Sequence, residues 1–163
     1  MLLSLTQREK FEWMLQKCTE IGASAFQPVI TSRSLVPNSK EAETKYERWR
    51  MIIREAAEQS GRGRLPDLLP AATLTEAAEN TARSYGLCLI PWEGEKKTSL
   101  KDALVGNAPD SVAVLIGPEG GFSEEEVQQA INAGFKPVTL GKRVLRMETA
   151  AMVTAALVFH ELE

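Results

Sequence analysis

Three glycines and a proline fall within five residues, in the string Gly117-Pro118-Glu119-Gly120-Gly121. The apolar and mostly β-branched run 112–116 before them predicts a buried strand. Ser123 and Glu126 after them have the spacing of a capping box, which predicts the start of a helix. Glycines in such a turn let backbone N–H groups approach a ligand without obstruction by a Cβ atom. Since ligands of open α/β sheets bind beyond the carboxyl ends of strands, residues 116–122 are a candidate binding loop; a tight turn without a ligand is the alternative.

A second candidate loop, residues 140–150, also leaves a predicted strand and enters a predicted helix. Its apolar pair Val144-Leu145 lies inside a loop, which indicates a wall packed on a flat ligand or on the neighbouring loop. Arg143 and Arg146 add positive charge beside that wall. Glu148-Thr149 is suited to capping the final predicted helix. Neither loop contains the Gly-Lys-Ser/Thr of a phosphate-binding P-loop.

Alternating helix and strand signals must position these two loops. The pattern predicts, in order, a helix that ends at Gly22, a strand over 26–30, a helix from about 46 to 60, a helix over 73–82 capped by Thr73 or Thr75, a strand over 86–90, a helix over 100–104, a strand over 112–116, a helix that ends at Gly134, a strand over 137–140 and a helix over 149–162. Strands separated by helices form mainly parallel sheets with helices on both faces, so the fold class is α/β. Residues 37–43 are a polar loop too short to divide two domains, and the chain is expected to be one domain over 1–163.

The final predicted helix is apolar nearly all round between Ala150 and Phe159. A helix of this kind must be buried on more than one side. One side can cover the sheet, and we expect the other to meet a second subunit. A central helix in a monomer is the alternative.

Composition excludes several function classes. The 163 residues contain 44% hydrophobic and 25% charged residues, as a globular domain does. The apolar stretch 150–159 is too short to cross a bilayer, and the first four residues do not begin a signal peptide, so a cytoplasmic protein is expected. Cys18 and Cys88 are interpreted as buried thiols in a reducing compartment, and with the single His160 no metal site is predicted.

Charge is divided unevenly along the chain, although its net value is only −3. Residues 1–64 carry a net charge of +3, and residues 65–163 carry a net charge of −6. A polyanionic partner should therefore prefer the first part.

Together the two loops resemble the SPOUT class of RNA methyltransferases. Gly-Pro-Glu-Gly-Gly-Phe-Ser at 117–123, followed by Leu-Gly-x-Arg-x-Leu-Arg-x-Glu-Thr-Ala at 140–150, is similar to the ribosomal RNA small-subunit methyltransferase E family, which makes N3-methyluridine in 16S rRNA. Lys-Cys-Thr-Glu-Ile-Gly at 17–22 and Glu-Ala-Ala-Glu-Gln-Ser-Gly-Arg at 55–62, with Pro66, resemble further signatures of that family. The resemblance covers essentially residues 8–160.

This resemblance implies S-adenosylmethionine as cofactor, a homodimer with its active site near the subunit interface, and a C-terminal trefoil knot, which is an exception to the usual avoidance of threaded loops. By position, the residues implied to line the cofactor pocket are Ile90, Pro91, Ile116, Gly117, Glu119, Gly120, Gly121, Leu140, Gly141, Val144, Leu145, Arg146, Thr149 and Ala150. The family normally carries an N-terminal PUA-like RNA-binding β-barrel. Because the chain starts almost at the first helix of the catalytic domain, that barrel is expected to be absent.

The implied reaction requires that uracil N3 lose its proton before it can act as a nucleophile. A cation near the uracil carbonyl oxygens would stabilise the developing anion, and Arg146 is the first candidate and Arg143 the second. Glu119 or Glu148 would be the base if one is needed, although both are equally suited to capping helix ends. Candidate contacts to small-subunit ribosomal RNA, for which solvated surface arginine is the alternative, are Arg33, Arg62 and Arg64.

Two other functions remain open at this level. A related enzyme of the same fold methylates the ribose 2′-hydroxyl of RNA, and its catalytic loop would look similar. The chain is otherwise a non-catalytic module that binds the cofactor and dimerises.

Overall fold

The computed structural model describes residues 1–35, 39–105 and 109–162. The elements, in chain order, are β1 (Leu2–Ser4), α1 (Arg8–Ile21), β2 (Ala25–Ile30), α2 (Ser39–Glu43), α3 (Tyr46–Gln59), β3 (Asp67–Leu68), β4 (Ala72–Thr73), α4 (Leu74–Ala82), β5 (Leu87–Pro91), α5 (Leu100–Val105), β6 (Val112–Ile116), α6 (Glu124–Ala133), β7 (Lys136–Val138) and α7 (Met147–Leu162).

The strands form one seven-stranded sheet in the order β3-β2-β1-β6-β5-β7, with β4 also paired to β2. Every described strand pairing is parallel. Parallel neighbours need crossover connections, and helices supply them here. The prediction of a mainly parallel sheet is confirmed. The trefoil knot stays a prediction.

Alternating side chains of the central strands divide the core into two layers. Leu3 and Leu89 point into the layer that contains α1, α3, α5 and α7. Leu2 and Ile90 point into the layer that contains α4 and α6. Since neighbouring residues of a strand face opposite sides, both faces of the sheet are covered, as the sequence predicted.

β1 was not predicted, although it lies at the centre of the sheet. It pairs with β2 on one side and β6 on the other, and all its side chains are buried. The expectation that the first element is a helix is therefore wrong. A strand of three residues shows no alternation to detect when both its faces are buried. The two-residue strands β3 and β4 were missed because they are equally short.

Three predicted boundaries need correction. Helix α7 begins at Met147, so Glu148 and Thr149 lie inside its first turn and do not cap it. Strand β7 ends at Val138, before the predicted 140, and Thr139 makes an isolated bridge to Ser99. Of the loop predicted over 37–43, residues 39–43 form α2 and the first two lie outside the described residues.

The final helix is covered on one side only in the single chain. Ala151, Ala155 and Val158 pack into the core beside α1 and α5, whereas Leu157 stays 41% exposed. The apolar surface that the sequence predicted against a second subunit is thus present and open.

Both cysteines are buried free thiols, as predicted. Burial raises the pKa of Cys18 to about 12 and also raises the pKa of Cys88, so neither thiol is reactive near neutral pH. In the part of the chain that the structure describes, no three His, Cys, Asp or Glu side chains are grouped to hold a metal ion. Of the helices in that same part, none has the length and hydropathy needed to traverse a bilayer.

Candidate functional site

A cleft of about 430 Å³ opens where the chain leaves β5, β6 and β7, with the first turns of α1 and α7 at its sides. Most of the residues predicted to form a ligand site line it. They are Pro91, Ile116, Gly117, Glu119, Gly121, Leu140, Gly141, Arg143, Val144, Leu145, Arg146, Glu148 and Ala150. The structure therefore brings together the two loops that the sequence singled out.

Three residues predicted for the cofactor pocket are not in the cleft wall. The side chain of Ile90 is fully buried in the opposite layer of the core, because it faces the other side of β5 from its neighbour Pro91. Gly120 turns its carbonyl away to accept a hydrogen bond from the Arg33 guanidinium. Thr149 is half-buried in the first turn of α7.

The β6-exit loop, residues 116–122, is shaped by glycine. Gly121 has a φ of +69°, which L side chains adopt with difficulty, and its N–H closes a turn by donating to the Pro118 carbonyl at 2.9 Å. A Cβ atom on Gly117 would come within 2.9 Å of the Phe122 ring. Glycine at 117 therefore lets the Phe122 ring pack against the backbone, and glycine at 121 allows the turn; both residues line the cleft.

Glu126 fixes the same loop from behind. Its carboxylate is buried and accepts hydrogen bonds from the backbone N–H of Ser123 at 2.9 Å and of Ser32 at 2.6 Å. The Ser123 hydroxyl in turn accepts from the Glu126 N–H, so the predicted capping box is confirmed. One carboxylate thus caps α6 and ties the segment after β2 to the β6-exit loop.

The end of β1 and the segment after it hold the front of this loop. The Ser4 hydroxyl donates to the Ile116 carbonyl at 2.7 Å, and the Thr6 hydroxyl donates to Glu119 Oε1 at 2.8 Å. Lys10 Nζ lies 3.1 Å from the same oxygen. Thr6 first, then Lys10, and finally the charge of Arg146 hold the pKa of the Glu119 carboxyl below its ordinary value.

The β7-exit loop, residues 139–146, has few such attachments. The Thr139 backbone joins the loop to the segment before α5: its N–H donates to the Thr98 carbonyl at 2.9 Å, and its carbonyl accepts from the Leu100 N–H at 3.2 Å. Beyond that point, the Thr139 hydroxyl and the Gly141 backbone bond to each other at 3.2 Å, and Gly141 has a φ of +113°. Val144 is 76% exposed, so it does not pack on the neighbouring loop. Within the described ranges, no acidic side chain pairs directly with Lys142 or Arg143. This wall offers apolar surface and unpaired positive charge.

The β5-exit loop forms the third wall and was recognised only at its first residue. Trp92, Glu93 and Lys96 line the cleft beyond Pro91. The Trp92 backbone N–H donates to the Val138 carbonyl at 3.0 Å, and Gly94 lets the loop fold against the indole, since a Cβ there would lie 2.3 Å from the ring. The apolar pattern that revealed β5 ends at Pro91 and carries no signal for the residues beyond it.

Lys10 is the functional candidate that sequence reasoning missed altogether. It lies on α1, whose sequence pattern indicates only an amphipathic helix packed on the sheet. Its partner Glu119 belongs to a distant part of the chain, and no local motif joins the two. Only the parallel pairing of β1 with β6 brings them together.

The arginines proposed to contact RNA have different surroundings. The Arg62 guanidinium donates to the carbonyls of Thr19 at 2.9 Å and Ala23 at 2.7 Å, which ties the end of α1 to the end of α3. Arg64 is 87% exposed, with Asp67 at 3.9 Å. Neither lines the cleft, and the contacts of Arg62 are structural.

The cleft combines bare backbone, apolar walls and a charged rim. Its positive side chains exceed its negative ones: the former are Lys10, Lys96, Lys142, Arg143 and Arg146, and the latter are Glu93, Glu119 and Glu148. Pockets for small molecules are largely apolar with a few placed polar groups. The arrangement suits a ligand with a flat apolar part and charged substituents. The excess of positive side chains at the rim also suits a neighbouring polyanion.

Comparison with known proteins identifies relatives of the chain. Residues 1–159 match the family model described as an RNA methyltransferase domain. A ribosomal RNA small subunit methyltransferase E from Synechocystis sp. is 38% identical over 99% of this chain, and one from Bacillus subtilis is 34% identical over 98% of it.

A solved structure shares the fold. The ribosomal RNA small subunit methyltransferase E from Neisseria gonorrhoeae, bound to S-adenosyl methionine, superposes on 98% of this chain with a TM-score of 0.80 and 33% identity. The chain spans 52% of the Synechocystis protein and 64% of the other two. Because the family model matches nearly the whole chain, this protein belongs to the RNA methyltransferase domain family.

Proposed function

We propose that this chain binds S-adenosylmethionine in the cleft and methylates N3 of a uridine in the RNA of the small ribosomal subunit. The observation that carries the proposal is the convergence of three strand exits on one cleft, in a chain of this family. The relative from Neisseria gonorrhoeae was solved with that cofactor, and the named relatives act on small-subunit ribosomal RNA.

The residues present fit this cofactor. Leu140, Val144 and Leu145 supply apolar surface for a flat adenine ring, and the backbone at Gly121 has no side chain to obstruct a ligand. The volume of about 430 Å³ lies within the range of small-molecule sites. When bound, the cofactor supplies a methyl group activated by a sulfonium.

Arg146 is proposed to stabilise the anion that forms when uracil N3 loses its proton. It lines the cleft at the start of α7, and its charge is close enough to lower the pKa of Glu119. A fixed cation aimed at developing negative charge is an effective source of rate enhancement. Arg143, on the same loop and without an acidic partner in the described ranges, is the second candidate.

Glu148 is the stronger of the two candidates for the base. Thr6 and Lys10 already bind Glu119, and their hydrogen bonds lower its pKa, which makes its carboxylate a poor acceptor of a proton. Glu148 lies at the cleft in the first turn of α7 and no longer has the role of helix cap.

Ribosomal RNA is proposed to approach the positive rim of the cleft, with Arg33 and Arg64 as further contacts. Arg33 lies beside the β6-exit loop, and Arg64 is exposed. The open apolar side of α7, which includes Leu157, supports a homodimer. A cytoplasmic location follows from the proposed substrate.

A binding measurement followed by a transfer assay tests this function. Calorimetry with S-adenosylhomocysteine should show one site per chain. Small ribosomal subunits that lack the modification should then gain label from methyl-labelled cofactor, and nucleoside mass analysis should identify N3-methyluridine. Arg146→Ala should lower the rate at least about 100-fold, whereas Arg83→Ala, an exposed arginine of α4 paired with Glu79, should not.

The outcomes separate the candidates. A 2′-O-methylated nucleoside would replace the proposal with a ribose methyltransferase. Binding of S-adenosylhomocysteine without transfer would favour the non-catalytic module. Failure of the folded protein to bind it would remove the enzyme assignment.

A further inference from the structure

We propose that Lys10 and Glu119 form the subsite for the amino-acid end of the cofactor: the Lys10 ammonium binds its carboxylate, and the Glu119 carboxylate binds its ammonium. The proposal rests on the function proposed above and assigns one part of the cleft. It gives Lys10 a role that no sequence motif indicates, and it makes Glu119 a ligand-binding anion instead of a base.

The first support is geometric. Lys10 comes from α1 and Glu119 from the β6-exit loop, and both side chains line the cleft, 31% and 38% exposed. Glu119 is held by Thr6 from a third segment, the one directly after β1. A carboxylate fixed by two partners is preorganised and loses little freedom when a ligand binds it.

The second support is unused hydrogen-bonding capacity. Thr6 and Lys10 both bind Glu119 Oε1, at 2.8 and 3.1 Å. Among the hydrogen bonds of the described residues, the one from Thr6 reaches Oε1 and none reaches Oε2. An ammonium has three donors and Lys10 uses one of them here. Each member of the pair therefore keeps a free position for a ligand.

The third support is chemical complementarity. The amino-acid end of the cofactor carries one carboxylate and one ammonium next to each other. The pair presents the opposite charges, also adjacent, at the edge of a cleft whose apolar walls suit the adenosine. Hydrogen bonds between ionised partners are the strong ones.

Other lysine–glutamate pairs of the molecule lack these properties. Lys17 and Glu20, 2.8 Å apart, are neighbours along α1 and lie outside the cleft. Glu41 of α2 and Lys45, which precedes α3, are likewise only four residues apart along the chain. Such local ion pairs are common at the protein surface and contribute little to stability. Lys10 and Glu119 differ because the pair joins two distant segments inside a concave site.

The experiment compares two ligands that differ only in the amino-acid end. S-adenosylhomocysteine carries it, and 5′-methylthioadenosine has the same adenosine and thioether without it. By calorimetry, Lys10→Met and Glu119→Gln should each weaken binding of S-adenosylhomocysteine about tenfold, as expected for a charged hydrogen bond at a partly exposed site. Both variants should bind 5′-methylthioadenosine within about twofold of the unchanged protein. Lys10→Arg should retain most of the affinity for S-adenosylhomocysteine.

Lys17→Met is the matched control, since it removes a lysine and an ion pair from the same helix outside the cleft. It should change the affinity for neither ligand. Melting curves show whether each variant is folded.

Equal loss of both ligands in Lys10→Met would show a structural role and overturn the proposal. Unchanged binding of both ligands in the Lys10 and Glu119 variants would overturn it too, and lost methyl transfer in those variants would then assign the pair to RNA. If the unchanged protein bound neither ligand, the proposed function would be rejected, and the subsite with it. Binding of S-adenosylhomocysteine with no difference between variants would reject the subsite alone.

Discussion

The two long walls of the cleft are built in opposite ways. Side chains from three other segments hold the β6-exit loop and its end: Glu126 binds the N–H of Ser123, Arg33 binds Gly120, and Thr6 binds Glu119. The β7-exit loop is attached at its first residue, where the Thr139 backbone bonds to Thr98 and Leu100. In the described part of the chain, no side chain from another segment hydrogen-bonds to its remaining residues, 140–146.

The two walls therefore differ in how freely their backbones can move. A loop fixed by several hydrogen bonds to other segments keeps its geometry with or without a ligand, which lowers the entropy cost of binding. The second loop has an exposed Val144, and its Lys142 and Arg143 have no acidic partner among the described residues. Such a loop can change shape around a ligand that enters the cleft. The first wall is therefore preformed, whereas the second can change shape when a ligand enters the cleft.

The largest expected effect comes from removing the anchor of the fixed wall. Glu126→Ala leaves the N–H groups of Ser32 and Ser123 without their acceptor, so the free energy of unfolding should fall by about 3 kcal/mol. Urea unfolding measures it. Glu76→Ala is the matched control, because Glu76 occupies the same capping-box position on α4 but is exposed, and its replacement should lower the free energy of unfolding clearly less. Equal losses would show that the added contact with Ser32 contributes nothing.

The next largest difference in stability between the two walls is expected when the positive-φ glycine of each, Gly121 or Gly141, is replaced by alanine. Gly121→Ala keeps a φ of +69° inside a fixed loop and should lower the free energy of unfolding by about 1–2 kcal/mol. Gly141→Ala meets no atom within 4 Å, and its loop can move to relieve the strain. It should lower that free energy by less than about 1 kcal/mol, with its main effect on affinity for S-adenosylhomocysteine. A reversed order in urea unfolding would contradict the comparison.

Lowering the pH should weaken the contacts that Glu119 makes in the β6-exit loop. Its pKa lies below the ordinary value of 4.5, so the ionised carboxylate stabilises the fold above that pH, and this contribution is lost as the pH falls through the lowered pKa. The pair is partly exposed, so the contribution should be less than about 1 kcal/mol. Urea unfolding of the unchanged protein and of Glu119→Gln should differ equally at about pH 7 and about pH 5.5, and the difference should shrink below about pH 4. A difference that grows in acid would reverse the sign of the effect.

The smallest effect on stability is expected at the adjustable wall. Val144→Ser removes an exposed methyl surface and should change the free energy of unfolding by less than about 0.5 kcal/mol. Binding of S-adenosylhomocysteine should nevertheless weaken a few-fold, because an apolar contact to the ligand is lost. A destabilised Val144→Ser with normal affinity would show that Val144 packs within the fold.

Local signals explain what could be predicted. The capping box at Ser123 and Glu126, the β-branched run of β6 and the glycines of the β6-exit loop each lie within a few residues, so the sequence alone identified that wall. Side chains two residues apart share a strand face, and those of the core strands do so here.

Contacts between distant segments explain which features could not be predicted from the sequence. The order of strands, the central place of β1 and the meeting of Lys10 with Glu119 depend on contacts between distant segments. Ile90 shows a failure of a different kind: it was assigned to the cleft with Pro91, although strand alternation, which is local, turns it into the opposite core layer.

The central place of β1 has a consequence for synthesis. Its exit residue Ser4 binds the Ile116 carbonyl across 112 residues of sequence. On the ribosome, β1 emerges long before β6 exists, and until then one of its edges has no neighbour. Contacts of such high sequence separation form slowly, because the chain between them must first be closed into a loop. The ligand cleft is therefore among the last features of the nascent chain to be completed, and an unfinished chain exposes a strand edge that a chaperone or a second copy can engage.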